Sequence, residues 1–148
     1  MAQSVNAAGL ELIKRFEGCE LSAYQDVKGI WTIGYGHIRG VEQGMRVSPE
    51  EAEAMLRDDL GGAEGAINAC IGTAGTTANQ FSAMVALCFN IGSGNFRQST
   101  VLKEHLAGRK QEAADAFLMW NKARINGVLQ PVAGLTNRRT AERQLYLT

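Results

Sequence analysis

The sequence has no long hydrophobic run. Within its 148 residues, the longest uninterrupted apolar segment extends only from Ala83 to Phe89, far below the ~20 residues that a membrane-spanning helix needs. The N-terminus also lacks a basic segment followed by an apolar core, so we expect no cleavable signal peptide. These absences predict a protein that is made in the cytoplasm and stays there unless another component releases it.

Cysteine and histidine are scarce. The three cysteines, Cys19, Cys70 and Cys88, form an odd set without CxxC spacing, which argues against both a disulfide framework and a zinc site. His37 and His105 are the only histidines, which also disfavours a metal site. We therefore predict no metal and no cofactor. Cys19 is expected to be an ordinary packed thiol, and the alternative is a redox-sensitive group.

The sequence has no net charge, but its charges are unevenly distributed. Residues 48–96 carry six acids and a single base, whereas residues 97–148 carry nine bases and four acids. A basic C-terminal third suits an anionic polymer such as a cell wall or a nucleic acid. The alternative is a dipolar surface that has no special partner.

Hydrophobic periodicity predicts a first helix over about residues 6–16, which Gly18 favours ending. Glu17 therefore falls at the end of that helix. The β-forming residues at about 22–38 predict a hairpin that turns at Lys28 and Gly29, with a third short strand if 41–47 returns. Asp26 then precedes the turn, and Thr32 lies on the strand after it.

The remaining pattern is helical. Ser48 and Pro49, with Glu51 completing a capping box, predict the start of a helix of about twenty residues, which glycines at 61, 62 and 65 could bend or shorten. Further helices are expected at 78–90, 100–107, 110–121 and 136–147, the first of them central and buried. The expected fold class is α+β and mostly α, in a single domain over 1–148. It has a small hairpin lobe at about 18–50 and a larger helical lobe at about 1–17 and 70–148. A long helix joins the lobes, with a cleft between them.

Two carboxylates and a hydroxyl lie within sixteen residues, at Glu17, Asp26 and Thr32. A pair of carboxyl groups across a cleft is the minimum equipment for cleaving a glycosidic bond, because one donates a proton and the other manages a water or positive charge. Nearby glycines and Trp31 suit the close approach of a sugar. The alternative is that Glu17 is a surface carboxylate and Asp26 only caps the turn.

The sequence resembles the phage-type lysozymes (endolysins) of glycoside hydrolase family 24 over about residues 6–146. The resemblance depends on FEG, then Ala-Tyr-x-Asp, then Gly-x-x-Thr-Ile-Gly-x-Gly-His, with further matching segments at 80–97, 99–102, 113–120 and 134–143. It implies a lysozyme fold and hydrolysis of the β-1,4 bond between N-acetylmuramic acid and N-acetylglucosamine in peptidoglycan, which releases phage progeny by host lysis. It also implies that Glu17 is the general acid, that Asp26 and Thr32 hold the attacking water, and that the anomeric centre is inverted.

The resemblance implies further site residues. His37 would be structural and anchored by a carboxylate partner in the Asp58-Asp59 helix. Arg138 would reach the catalytic glutamate, with Arg139 as the alternative, and an arginine there opposes the protonated form that a general acid needs. Substrate contacts are implied at Ile38, Phe89 and Ser99. Asn90 and Asn95 could bind N-acetyl groups, and core packing is the alternative for Ile38 and Phe89.

The expected partner is peptidoglycan, acted on by a monomer without stable membrane anchoring or nucleic-acid binding. A holin-type permeabiliser would let the enzyme pass from the host cytoplasm to the wall. One rival is a catalytically silent wall-binding protein. A second is a nucleic-acid binder that uses Arg138, Arg139 and Arg143, which would leave the acid pair unexplained. A third is a lytic transglycosylase, which uses one carboxyl group.

Overall fold

The computed structural model describes residues 2–148, which divide into a hairpin unit, Ile13–Gly62, and a helical unit formed by residues up to 12 and by 63–148. Most of the chain is helical, with two small antiparallel hairpins. The division falls inside the first helix and near the start of the third. The elements are α1 Ala7–Glu17, β1 Glu20–Gln25, β2 Trp31–Gly34, α2 Pro49–Asp59, α3 Gly61–Ile71, α4 Ala78–Ile91, α5 Ser93–Arg97, α6 Thr100–Leu106, α7 Lys110–Ala116, a 3₁₀ turn Phe117–Met119, β3 Lys122–Ile125, β4 Val128–Pro131 and α8 Ala133–Leu147.

The hairpin unit is built around β1 and β2, which pair antiparallel. Between them, the N–H of Asp26 donates to the carbonyl of Ile30 over 2.9 Å, and Gly29 adopts a φ of +81°, a conformation that glycine tolerates without cost. The possible third strand at 41–47 does not form as a strand, and an isolated bridge between Ser22 and Arg46 is found there instead. The first hairpin is therefore as predicted, with only one bridge at its outer edge.

Helix α2 begins with the predicted capping box. The Ser48 hydroxyl accepts the Glu51 N–H over 3.1 Å, and the Glu51 carboxylate accepts the Ser48 N–H over 2.9 Å. The helix packs on β2 at Gly34, where an added Cβ would lie 3.4 Å from the Cβ of Ala52. The absence of a side chain at Gly34 therefore allows the strand to lie close to the helix.

The long helix predicted after Ser48 is interrupted. α2 ends at Asp59, Leu60 caps it, and α3 follows from Gly61. Two consecutive glycines, Gly61 and Gly62, explain the break, because they lose the most backbone entropy in a helix and have no side chain to pack. The cleft predicted from the sequence stays a prediction.

The helical unit is centred on α4, as predicted. Every residue from Phe81 to Cys88 is buried, and α4 packs along α8. Its start is fixed by a second capping box, in which Thr77 and Gln80 exchange side-chain and backbone hydrogen bonds. Such an all-round apolar helix belongs in the centre of a core.

The C-terminal part of the helical unit differs from the expected helices. The helix predicted to reach residue 121 ends at Ala116, a second hairpin occupies 122–131, and the last helix starts at Ala133. The hairpin turns at Asn126 (φ 52°) and Gly127 (φ 79°). Asn-Gly is the strongest short signal for a two-residue hairpin turn, so this element was recognisable in the sequence. Within residues 2–148, no helix is both long and apolar enough to cross a membrane.

Candidate active site

Glu17 is the last residue of α1. The helix stops there because Gly18 takes a left-handed φ of +71°, with its N–H donating to the Lys14 carbonyl over 3.0 Å. The Glu17 carboxylate lies beside the turn after β2, since a Cβ added to Gly36 would be 3.6 Å from Glu17 Oε1. It also borders a cavity of about 440 Å³, whose other lining residues are Gly18, Cys19, Glu20, Tyr24 and Gly34.

The turn beside Glu17 is closed by a pair of backbone hydrogen bonds. Ile33 and His37 each donate an N–H to the carbonyl of the other over 2.9 Å. Gly34 and Gly36 within this turn have φ angles of +65° and +82°, a region that side chains with a Cβ rarely adopt. The glycines of the TIGYGH motif thus shape the turn that lies against the Glu17 carboxylate.

Asp26 holds the first hairpin turn with one carboxylate oxygen. Its Oδ1 accepts the N–H of Lys28 over 2.8 Å and the N–H of Ile30 over 2.9 Å. Its Oδ2 accepts no hydrogen bond from the protein within residues 2–148. The half-buried carboxylate is therefore fixed through one oxygen and presents the other to solvent.

Thr32 is positioned by Ile30, whose N–H also binds Asp26. Its buried hydroxyl donates to the carbonyl of Ile30 over 2.9 Å, and its backbone is registered opposite Tyr24 on β1. Because the single hydroxyl proton is used in this bond, the Thr32 oxygen can accept a hydrogen bond from a water. The structure thus brings Asp26 and Thr32 together around Ile30.

His37 is fixed at both ring nitrogens. Nδ1 lies 2.8 Å from Asp59 Oδ2, and Nε2 lies 2.9 Å from the carbonyl oxygen of Arg39. The carboxylate partner is therefore Asp59 at the end of α2, and the ring ties the turn after β2 to that helix. Among residues 2–148, no group of three or more His, Cys, Asp or Glu side chains could hold a metal ion.

The implied substrate residues fall in both units. Ile38, in the hairpin unit, is 55% exposed. In the helical unit, Asn90 is exposed near the end of α4, whereas Phe89 before it is half-buried. Ser99 is buried and caps α6 by accepting the Leu102 N–H over 3.2 Å. The side-chain amide of Asn95 donates to the Ile91 carbonyl over 2.8 Å.

Arg138 lies on α8 within a buried charged cluster that the sequence reasoning missed. Its Nε is 3.3 Å from Glu142 Oε2, and Arg139 Nε is 2.8 Å from Glu142 Oε1. Arg139 and Glu142 are completely buried. Burial raises the pKa of Glu142 to about 7 against the attraction of the two arginines, and it lowers the pKa of Arg139. The sequence feature that could have indicated this cluster is the spacing of Arg138 and Arg139 four and three residues before Glu142, which places them on one side of a helix.

A second buried polar group surrounds His105 on α6. Its Nδ1 is 2.6 Å from the Tyr146 hydroxyl and 3.2 Å from Lys110 Nζ, and its Nε2 is 2.8 Å from the Thr76 hydroxyl. Burial, aided by the Lys110 charge, lowers the pKa of His105 to about 4. Burial also raises the pKa of Tyr146 to about 12. The ring is therefore neutral and structural at neutral pH.

A glycoside hydrolase uses a pair of carboxyl groups, and Glu17 and Asp26 supply two such groups within the hairpin unit. Comparison with known proteins agrees with this class. The model of the phage lysozyme family matches residues 14–142. The chain is 42% identical to an endolysin from Acyrthosiphon pisum secondary endosymbiont phage 1, covering 96% of this chain and 97% of that protein.

Solved structures extend the likeness to the fold. The muramidase domain of SpmX from Asticaccaulis excentricus is 44% identical with a TM-score of 0.92, and 99% of each chain is covered. An endolysin from Escherichia coli O157:H7 phage FAHEc1 is 41% identical with a TM-score of 0.92, covering 99% of this chain and 95% of that one. The chain therefore belongs to the phage lysozyme family. Lysozyme-type hydrolysis of the bacterial cell wall is its function.

Proposed function

We propose that the protein is an N-acetylmuramidase that cleaves the β-1,4 bond between N-acetylmuramic acid and N-acetylglucosamine with inversion. Glu17 donates a proton to the leaving glycosidic oxygen. Asp26 and Thr32 hold the water that attacks the opposite face of the sugar. Asp26 accepts the proton that this water loses, and it also balances the oxocarbenium-like charge. No metal or cofactor takes part in this scheme.

The observation that carries the proposal is the shared positioning of Asp26 and Thr32. Asp26 Oδ1 accepts the Ile30 N–H, while the Thr32 hydroxyl donates to the Ile30 carbonyl. This leaves acceptor capacity on Asp26 Oδ2 and on Thr32 Oγ1, and in the proposed scheme one water donates a proton to each. Two fixed acceptors orient the oxygen lone pair of that water for attack. A lytic transglycosylase needs no such water.

The chemistry of the reducing end tests the reaction. Digestion of purified peptidoglycan in ¹⁸O-labelled water should place the label on the newly formed reducing end of N-acetylmuramic acid. Proton NMR during the first turnovers should show the α-anomer, because inversion converts the β-linkage. Anhydro sugar without label would instead identify a lytic transglycosylase, and an initial β-anomer would identify a retaining enzyme.

Replacement of the acid tests the residue assignment. Glu17→Gln keeps the size of the side chain and removes its proton-donating capacity, so it should abolish nearly all hydrolysis while the fold is retained. Turnover of purified peptidoglycan and the circular dichroism spectrum should be measured together. More than about a tenth of the wild-type rate in the variant would exclude Glu17 as the acid and would leave the family assignment intact.

We also propose that the protein accumulates in the host cytoplasm and reaches the wall after a holin-type protein has permeabilised the membrane. The support is its likeness to proteins named endolysin along 97% and 98% of their lengths. Expression in a bacterial host with and without a membrane-permeabilising agent tests this order of events. Lysis that begins without the agent would contradict the dependence.

A further inference from the structure

The second hairpin, β3–β4, is supported by few other parts of the molecule. The two strands pair along all of their residues, from Lys122 with Pro131 to Ile125 with Val128. Neither strand packs extensively against another element, and Asn126 and Gly127 form its tip. The hairpin is therefore a narrow ribbon, and most of its side chains are exposed.

The tip of this ribbon carries exposed aliphatic side chains on both faces. Ile125, Val128 and Leu129 are 43%, 58% and 56% exposed. Because neighbouring residues of a strand point to opposite faces, Val128 and Leu129 lie on opposite sides of the hairpin. Ile125 is registered opposite Val128 and shares its face. A flat partner could cover one face only, whereas a fluid apolar medium can surround both.

Cations accompany these apolar side chains. Lys122 and Arg124 on β3 are exposed, and no acid occurs between Asp115 and Glu142. The Arg124 guanidinium donates to the Gly127 carbonyl over 3.2 Å, which places its charge beside the tip. The hairpin thus presents aliphatic groups next to positive charge, without a competing negative charge on its own strands.

We propose that the β3–β4 hairpin docks reversibly on an anionic lipid bilayer, with Ile125, Val128 and Leu129 among the acyl chains and Lys122 and Arg124 at the lipid phosphates. Exposed aliphatic groups beside cations are the composition of peripheral membrane contacts. Sugars favour aromatic and hydrogen-bonding surfaces, which the tip lacks. The docking is independent of the glycosidase chemistry, and it requires no membrane-spanning segment.

Vesicle sedimentation tests the docking. The wild-type protein should bind vesicles of phosphatidylcholine with phosphatidylglycerol, and it should bind pure phosphatidylcholine much more weakly. Val128→Ser with Leu129→Ser should weaken binding to the anionic vesicles by about tenfold or more, because apolar area is lost. Lys122→Gln with Arg124→Gln should weaken it by about fivefold per cation and reduce its dependence on salt.

A matched double variant on α6 controls for a general loss of apolar or positive surface. Leu106 is 47% exposed and Lys103 is also exposed, so Leu106→Ser with Lys103→Gln should leave vesicle binding within about twofold of the wild type. Circular dichroism would establish that all variants are folded. Equal vesicle binding by the wild type and the hairpin variants would overturn the proposal. So would loss of affinity for lipid-free peptidoglycan, or of self-association, with no change in vesicle binding.

Discussion

Asp26 and Thr32 in the hairpin unit are held by different means from the buried charged cluster in the helical unit. In the hairpin unit, Asp26 is fixed by the main chain of Lys28 and Ile30, and Thr32 by that of Ile30. In the helical unit, Arg138 and Arg139 both pair with Glu142, and all three side chains are buried. Main-chain support leaves a carboxylate accessible for chemistry, whereas mutual support inside a core couples each charge to stability. We therefore expect substitutions to reduce activity in the first unit and stability in the second.

The largest effect should follow the loss of the Asp26 charge. Asp26→Asn retains an oxygen that can accept the N–H groups of Lys28 and Ile30, so the turn should persist. Hydrolysis of peptidoglycan should nevertheless fall by about 10²–10⁴-fold, because an amide neither activates the water nor balances positive charge. Initial rates and thermal unfolding should be measured on the same preparation.

Asp26→Ala is the companion variant. It removes the charge together with both turn hydrogen bonds, so it should lose the same activity and, in addition, about 1–3 kcal/mol of unfolding free energy. If Asp26→Asn retained wild-type activity, Asp26 would be only a turn cap. If Asp26→Asn lost both activity and stability, the catalytic role of Asp26 could not be separated from its role in holding the turn.

In the helical unit, Glu142→Ala should lower the free energy of unfolding by about 3–5 kcal/mol, because it removes the buried carboxylate that contacts both arginines and leaves Arg139 without its counter-charge. Asp115→Ala is a matched control, since Asp115 forms an exposed pair with Arg143 over 2.9 Å. That change should cost under about 1 kcal/mol. Urea denaturation measures both values. Similar losses of unfolding free energy at the two sites would show that burial does not determine how much these ion pairs contribute to stability.

The stability of the helical unit should also depend on pH through His105. The pKa of His105 is about 4 in the folded protein and about 6.5 in the unfolded chain, so between these values the unfolded state binds the extra proton. The stabilising contribution is complete above pH 6.5 and is lost as the pH falls. From pH 7 to pH 5 the loss due to His105 should be about 2 kcal/mol. It is obtained as the difference between the wild type and His105→Gln, because the raised pKa of Glu142 acts in the opposite direction in both. Urea denaturation of the wild type and of His105→Gln measures it, and equal pH dependence in the two proteins would contradict the assignment.

The sequence predicted the elements whose signals are local. The first hairpin, the capped start of α2 and the buried helix α4 follow from turn residues, a Ser-Pro-Glu-Glu start and an apolar run. Glu17, Asp26 and Thr32 were proposed as site residues from their spacing and the family motif, and that assignment stays a prediction. The second hairpin was not predicted from helical periodicity, and its local signal is the Asn126-Gly127 turn.

The buried clusters could not be predicted in the same way. In the sequence, Glu142 cannot be distinguished from a solvent-exposed helical glutamate. It is buried only because α8 packs along α4. The neighbours of His105 come from α7, α8 and the segment before α4. Two of these contacts join residues that are 29 and 41 positions apart. The hydrophobic periodicity of a single segment therefore cannot predict them.

Two helical glycines with different surroundings should give effects of opposite sign. An added Cβ at Gly9 would lie 2.5 Å from Ser82 Cβ on α4 and 3.0 Å from Val5 Cγ1, whereas at Gly65 on α3 nothing lies within 4 Å. Gly9→Ala should therefore cost about 1–3 kcal/mol through overpacking. Gly65→Ala should raise the unfolding free energy by about 0.5–1 kcal/mol, because alanine favours the helix and restricts the unfolded chain. Thermal unfolding distinguishes the two signs, and a stabilising Gly9→Ala would show that α1 can shift away from α4.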